Sequence, residues 1–158
     1  MLSEETAIGR YPVEAVTMMA AIAGDAESIA PFAALVGPSE TTASPADAVG
    51  RAACILADDI AAAAIVTCTE SGTTARRVAR YRPRAPILAP TPHAETYRRL
   101  ALVWGVTPIT LADTSPAALG PQLLARGLLA TGAVIVIVSM RATLDREGGN
   151  FLQVERVG

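Results

Sequence analysis

A chain of 158 residues can bury one hydrophobic core but is short for a core plus a large second domain. It is 51% hydrophobic and only 4% aromatic, so that core must be built from Ala, Val, Ile and Leu, with helices able to approach closely through alanine. A net charge of −2 argues against a nucleic-acid surface, and because all thirteen basic residues are arginine, Schiff-base, P-loop-lysine and lysine acid/base chemistry are closed to this polypeptide.

Residues 1–9 read as polar and turn-like, with neither the basic nor the apolar region of a secretory signal, which makes the cytoplasm the expected compartment. Pro12 then stands where a helix accepts proline, and Ala15, Met19, Ile22, Ala26 and Ile29 follow at helical spacing, predicting an amphipathic helix. Residues 30–43 carry Pro31, Gly37, Pro38 and a Ser/Thr cluster without periodicity, so they read as a linker. Ser44, Pro45 and Asp47 have the order of an N-cap, a first-turn proline and a first-turn acid. Val49, Ala53, Leu56 and Ile60 give the helix after them one apolar face.

From there strands and helices alternate. Strands are predicted over 62–67, 86–89 and 106–109, with helices over 73–81, 92–104 and 115–130; Pro121 marks either a start or a kink in the last. The β-branched run within 133–139 has to be a central strand buried on both faces, and 151–157 alternates as a half-buried strand does. Strand-helix repeats imply a parallel sheet with right-handed crossovers, whereas the last strand, returning after the short charged turn 145–150, must pair antiparallel. The expected fold is α/β and three-layered: a five-stranded, mostly parallel sheet with its last strand antiparallel and helices on both faces. No apolar run approaches the roughly 20 residues of a membrane span.

In such a sheet ligands sit beyond the carboxyl ends of the strands. One loop at that edge is Thr69-Glu70-Ser71-Gly72-Thr73-Thr74, which brings hydroxyls, backbone N–H groups and the positive end of a helix together, as proteins do to hold phosphate. A plain N-cap and tight turn is the alternative, and the pattern of a nucleotide P-loop is not present. The other loop, 139–150, offers Arg141 and Arg146, either as a clamp on a second anionic group or as solvated loop charges. Cys54 and Cys68 form no C-x-x-C pair and His93 is the only histidine, so neither a disulfide framework nor a metal site is expected. Cys68 reads as a thiol activated by the following helix or as a small buried filler. Ser71 has no nucleophile elbow and no partner histidine, so no catalytic residue is assigned.

The opening Met1-Leu2-Ser3-Glu4-Glu5-Thr6-Ala7-Ile8-Gly9-Arg10-Tyr11-Pro12-Val13-Glu14-Ala15-Val16 resembles the M-L-S-G-E-T-A-x-G-x-Y-P-x-E-A-V segment that closes the catalytic barrel of pyruvate kinases. Thr69 to Thr74, continued by Ala75-Arg76-Arg77-Val78-Ala79-Arg80-Tyr81-Arg82-Pro83-Arg84-Ala85-Pro86-Ile87, is similar to the T-x-S-G-x-[TS]-A-x-x-V-[AS]-R-Y-R-P-x-[AC]-P-I block of the same family's C-terminal domain. Trp104-Gly105-Val106-Thr107-Pro108 resembles the G-V-x-P step after it.

The resemblance implies three parts: 1–29 as a remnant of the barrel's last unit, 30–43 as linker, and 44–158 as the pyruvate kinase C-terminal α/β domain. It also implies a regulatory and oligomerisation domain, inactive alone, that binds a phosphorylated effector at Thr69, Ser71, Gly72, Thr73, Thr74, Arg141 and Arg146. The implied partners are that effector, the barrel of a parent enzyme and further copies of the chain in a homo-oligomer. No cofactor is expected here; Mg²⁺ and K⁺ belong to the parent, which moves a phosphoryl group from phosphoenolpyruvate to ADP. Glu4 stands where the family has glycine, Glu70 brings an acid into the phosphate loop, and 141–150 keeps only part of the family's G-x-T-N ending. The alternatives are a purely structural assembly module or a free-standing phosphate-ligand-binding protein.

Overall fold

The computed structural model describes residues 1–29, 44–140 and 149–158. They fall into two compact units, one within 1–37 and one within 38–158. The expected linker, and most of the turn expected at 145–150, lie outside the described residues.

The first unit holds helix α1 (Glu4–Ala7) and helix α2 (Pro12–Ile29). Residues expected as a plain turn thus contain one helical turn, because the Ser3 carbonyl accepts the Ala7 N–H at 3.2 Å and the Glu5 carboxylate accepts the Ser3 N–H at 2.9 Å. That second bond holds the Glu5 carboxyl below its ordinary range. Helix α2 starts at Pro12 as expected, but it has no buried face: Val13, Val16, Met18 and Ile22 are exposed, and Ala15 and Met19 are only half-buried. The four-three spacing picked out one stripe of a helix that is apolar on several sides, and periodicity alone does not say which side is covered.

The second unit opens with helix α3 (Pro45–Asp59). Ser44 caps it reciprocally: its Oγ accepts the Asp47 N–H at 3.2 Å and donates to the Asp47 carboxylate at 2.6 Å. That hydrogen bond is the main reason the Asp47 carboxyl lies below the usual carboxylate range. The buried side of α3 is made of small residues, Ala46, Gly50, Ala53, Cys54 and Ala57, which lets the helix lie close on its neighbours.

Then follow β1 (Ala64–Cys68), α4 (Thr73–Ala79), β2 (Ile87–Thr91), α5 (Ala94–Leu100), β3 (Val106–Thr110), α6 (Pro116–Ala125), β4 (Val134–Ser139) and β5 (Phe151–Arg156). The strand order is β3-β2-β1-β4-β5, parallel except for β4 against β5, as expected for the α/β class. Ile65, Ile87, Val136 and Val138 pack with α3 and α4 on one face of the sheet, and Val66, Leu88, Ile135 and Ile137 pack with Leu119 and Leu123 of α6 on the other. The three layers follow from strict alternation along buried strands.

Several boundaries differ from those expected. Helix α5 stops at Leu100 because the chain must turn through Gly105, at φ 68°, to start β3. Helix α6 runs through Pro121 but ends at Ala125, where Gly127 adopts φ 69°, Gly127 N–H donates to the Leu124 carbonyl and Leu128 N–H to the Leu123 carbonyl. That Schellman closure satisfies carbonyls which the longer predicted helix would have used internally. Strand β2 continues through Pro90, which has no N–H to give to the ladder. Pro86 offers its carbonyl to β1 and the Ile87 N–H turns to β3, so by alternation Pro90 faces β1, whose pairing with β2 ends at Val66 and Leu88.

Candidate functional site

The loop between β1 and α4 is held from several directions. Gly72 sits at φ 84°, a left-handed conformation that favours glycine, and a Cβ there would meet Leu100 at 3.1 Å and the Arg76 guanidinium at 3.3 Å. The Thr69 hydroxyl accepts the Gly72 N–H at 2.9 Å, Arg76 donates to the Ser71 carbonyl at 3.2 Å, and Thr96 of α5 donates to the Glu70 carbonyl at 2.8 Å. Three successive residues of the loop are thus fixed by groups from three places in the fold.

The four hydroxyl-bearing loop residues expected to bind phosphate divide into two kinds. Thr69 and Thr74 are buried and their hydroxyls are engaged inside the protein, Thr74 donating to the Met140 carbonyl at 3.4 Å. Ser71 and Thr73 are exposed and their hydroxyls lie 2.9 Å apart. The first backbone bond of α4 runs from the Arg76 N–H to the Gly72 carbonyl, so the amides of Thr73, Thr74 and Ala75 precede the helical ladder. Arg141 and Arg146 lie outside the described residues. Thr96 and Arg76 shape the loop without having been singled out for it. No local signal marks them, because Thr96 reaches Glu70 across 26 residues of sequence.

Glu70 is exposed beside the loop and contributes its carbonyl, not its carboxylate, to the loop's internal bonding. Burial pushes the Cys68 thiol up to about 11 and the Cys54 thiol up to about 12. Desolvation thus outweighs any help from the neighbouring helix, and Cys68 packs as a small apolar group. Among the described residues no three His, Cys, Asp or Glu side chains come together to hold a metal, and no helix is long and apolar enough to cross a membrane.

A model of the pyruvate kinase alpha/beta domain matches residues 47–155. The chain belongs to the pyruvate kinase family. It is 47% identical over 115 residues to pyruvate kinase 2 of Synechocystis, an alignment spanning 72% of this chain and 19% of that protein. It is 35% identical to a pyruvate kinase of Staphylococcus epidermidis over its whole length, covering 28% of that enzyme. The crystal structure of Cryptosporidium parvum pyruvate kinase superposes with a TM-score of 0.75 at 26% identity, over 100% of this chain and 32% of that one. The chain therefore spans less than a third of the length of these pyruvate kinases.

Proposed function

We propose that this chain is the regulatory and assembly domain of a pyruvate kinase, and that its loop 69–74 binds the phosphate of a phosphorylated metabolite. The observation that carries the reading is the exposed pair of Ser71 and Thr73 hydroxyls on a loop already fixed by Thr69, Arg76 and Thr96. A pre-ordered donor set binds an anion without first having to order itself. Glu70 beside it brings like charge toward a ligand and favours a monophosphate over a bisphosphate. In this reading 1–29 is the last unit of the catalytic barrel, 30–43 the linker and 44–158 the effector-binding domain. Arg141 and Arg146 supply a second anion contact. The chain has no turnover of its own, and Mg²⁺ and K⁺ act in the barrel of a longer cytoplasmic parent.

Calorimetric titration of the chain at low salt with ribose 5-phosphate, AMP, inorganic phosphate and fructose 1,6-bisphosphate tests this. Heat is expected from a monophosphate, and Gly72→Val, whose side chain has no room against Leu100, should abolish it. No heat from any of the four removes the effector reading.

A second reading, an assembly module with no effector, is favoured by the contrast between the sheet's two edges. On β3 the Ile87 N–H reaches Gly105 and the Leu111 N–H reaches Thr91, so the alternate residues Val106, Pro108 and Thr110 face outward, and Pro108 has no N–H to offer. On β5 the Val157 N–H turns inward to Ala133, so Leu152, Val154 and Arg156 present the outer backbone, and Val154 is 48% exposed. Among the described residues one edge is closed to another strand and the other is open. Sedimentation of the wild-type chain against Val154→Pro tests whether copies associate there; unchanged association would exclude that edge.

A further inference from the structure

Helix α5 is weak by every local measure. It has seven residues, too few for a helix to hold in water by itself, and His93 at its N-cap makes no side-chain cap bond. The exposed ion pair on its surface, Arg99 to Glu95 at 3.5 Å, adds little. Its helical form therefore depends on what it packs against. Only two of its residues, Thr96 and Leu100, are buried, and they stand four apart on one face.

Both of those residues meet the loop 69–74. The Thr96 hydroxyl donates to the Glu70 carbonyl at 2.8 Å. The Leu100 side chain lies under Gly72, where a Cβ would stand 3.1 Å from it, and packs with Ala75, the residue after the loop, and with Ala89 of β2. That small cluster is separate from the cores on the two faces of the sheet. One leucine against alanines is little apolar contact, and the polar contact beside it is the one to Glu70, so docking α5 and ordering the loop draw on the same groups. The dependence runs both ways: without α5 the Glu70 carbonyl loses its donor and the turn at Gly72 loses the side chain it rests on.

We propose that Thr96 and Leu100 are positioning residues for the loop 69–74, and that α5 and the loop order and open as one unit. A ligand held by the ordered loop then stabilises α5 as well; this consequence rests on the effector reading, whereas the coupling itself does not.

Amide hydrogen exchange, followed residue by residue on the ligand-free chain, tests the coupling. The loop is reported by the Gly72 N–H, bonded to the Thr69 hydroxyl, and the Arg76 N–H, bonded to the Gly72 carbonyl. Helix α5 is reported by the Tyr97 N–H on the His93 carbonyl and the Ala101 N–H on the Tyr97 carbonyl, and the Leu128 N–H beyond α6 is the control. Thr96→Val keeps the shape and removes the hydroxyl; it should speed exchange about tenfold at all four reporters and leave Leu128 unchanged. Thr96→Ser, which keeps the hydroxyl, should restore the slow rates. Gly72→Ala, made in the loop, should speed exchange at Tyr97 and Ala101 in α5. In the wild-type chain ribose 5-phosphate should slow all four. No change at any reporter, faster exchange confined to one of the two elements, an equal rise at Leu128, or no rescue by Thr96→Ser would each overturn the proposal, as would ribose 5-phosphate binding that protects the loop alone. The ligand-free comparison needs no bound phosphate, so a failure to bind any phosphate removes the effector reading while the coupling is still decided by the variants.

Discussion

Helices α2 and α3 are alike on paper and opposite in the fold. Both open on proline, both are rich in alanine, and their lengths are 18 and 15 residues. Helix α3 buries Ala46, Gly50, Ala53, Cys54 and Ala57, whereas every described side chain of α2 is exposed or half-buried. The difference lies in what the small residues are for. In α3 they sit on one side and let the backbone approach β1, β4 and α4, so buried area is gained by closeness. In α2 the larger groups Val13, Val16, Met18 and Ile22 carry the apolar surface and none of the described residues of their own unit covers them. Similar local sequence therefore gives a core element in one case and a helix waiting for a partner in the other.

Substitutions can break or sharpen that contrast. The largest effect is expected from Ala57→Asp, which places an unpaired charge at a position only 1% exposed; destabilisation of the second unit by about 4 kcal/mol or more should appear as a lower urea midpoint followed through Trp104. Ser44→Ala, which removes the cap of α3, should cost about 1 kcal/mol. Its cost depends on pH in a defined direction. Asp47 has a lowered pKa in the folded chain, so its contribution is present above the ordinary carboxylate pKa of about 3.9 and is lost as pH falls through the lower folded value. Wild type should lose stability across that acid window and Ser44→Ala should lose less, the two converging at the lowest pH; parallel curves would mean that the Ser44 bond does not set the shift. Ile22→Ser in α2 should change stability by no more than about 0.5 kcal/mol, because the side chain is already exposed. If the α2 surface drives self-association, the same variant should still lower the sedimentation coefficient at high concentration. A large loss of stability instead would show that α2 is covered after all.

The candidate loop was legible as a chemical type and not as a set of contacts. Its position after a strand and before a helix, and its hydroxyl and glycine content, follow from local pattern. Which hydroxyls face outward does not. Thr74 looks identical to Thr73 in sequence, yet Thr74 is spent on Met140, 66 residues away. Thr96 looks like any first-turn threonine, yet it fixes the carbonyl of Glu70. Arg76 is exposed in the helix after the loop, and its guanidinium folds back on the Ser71 carbonyl.

What the sequence determined by itself was the order and class of the elements from α2 onward, the cap at Ser44, the doubly buried strand 134–139 and the family. These rest on periods of two and 3.6 residues, on hydrogen bonds between residues three apart, and on motif spelling, all of which are local. Only the tertiary structure decided that β2 tolerates Pro90, that α5 and α6 end early, that α2 has no buried side, and that two of the loop's hydroxyls belong to the scaffold. Each of those depends on which distant group arrives beside a residue: a strand whose pairing with its neighbour ends there, a glycine that lets the chain turn, a carbonyl left open at the end of another strand. Residue type sets what a group can donate or accept, but only packing settles whether its partner is solvent, a ligand or the protein itself.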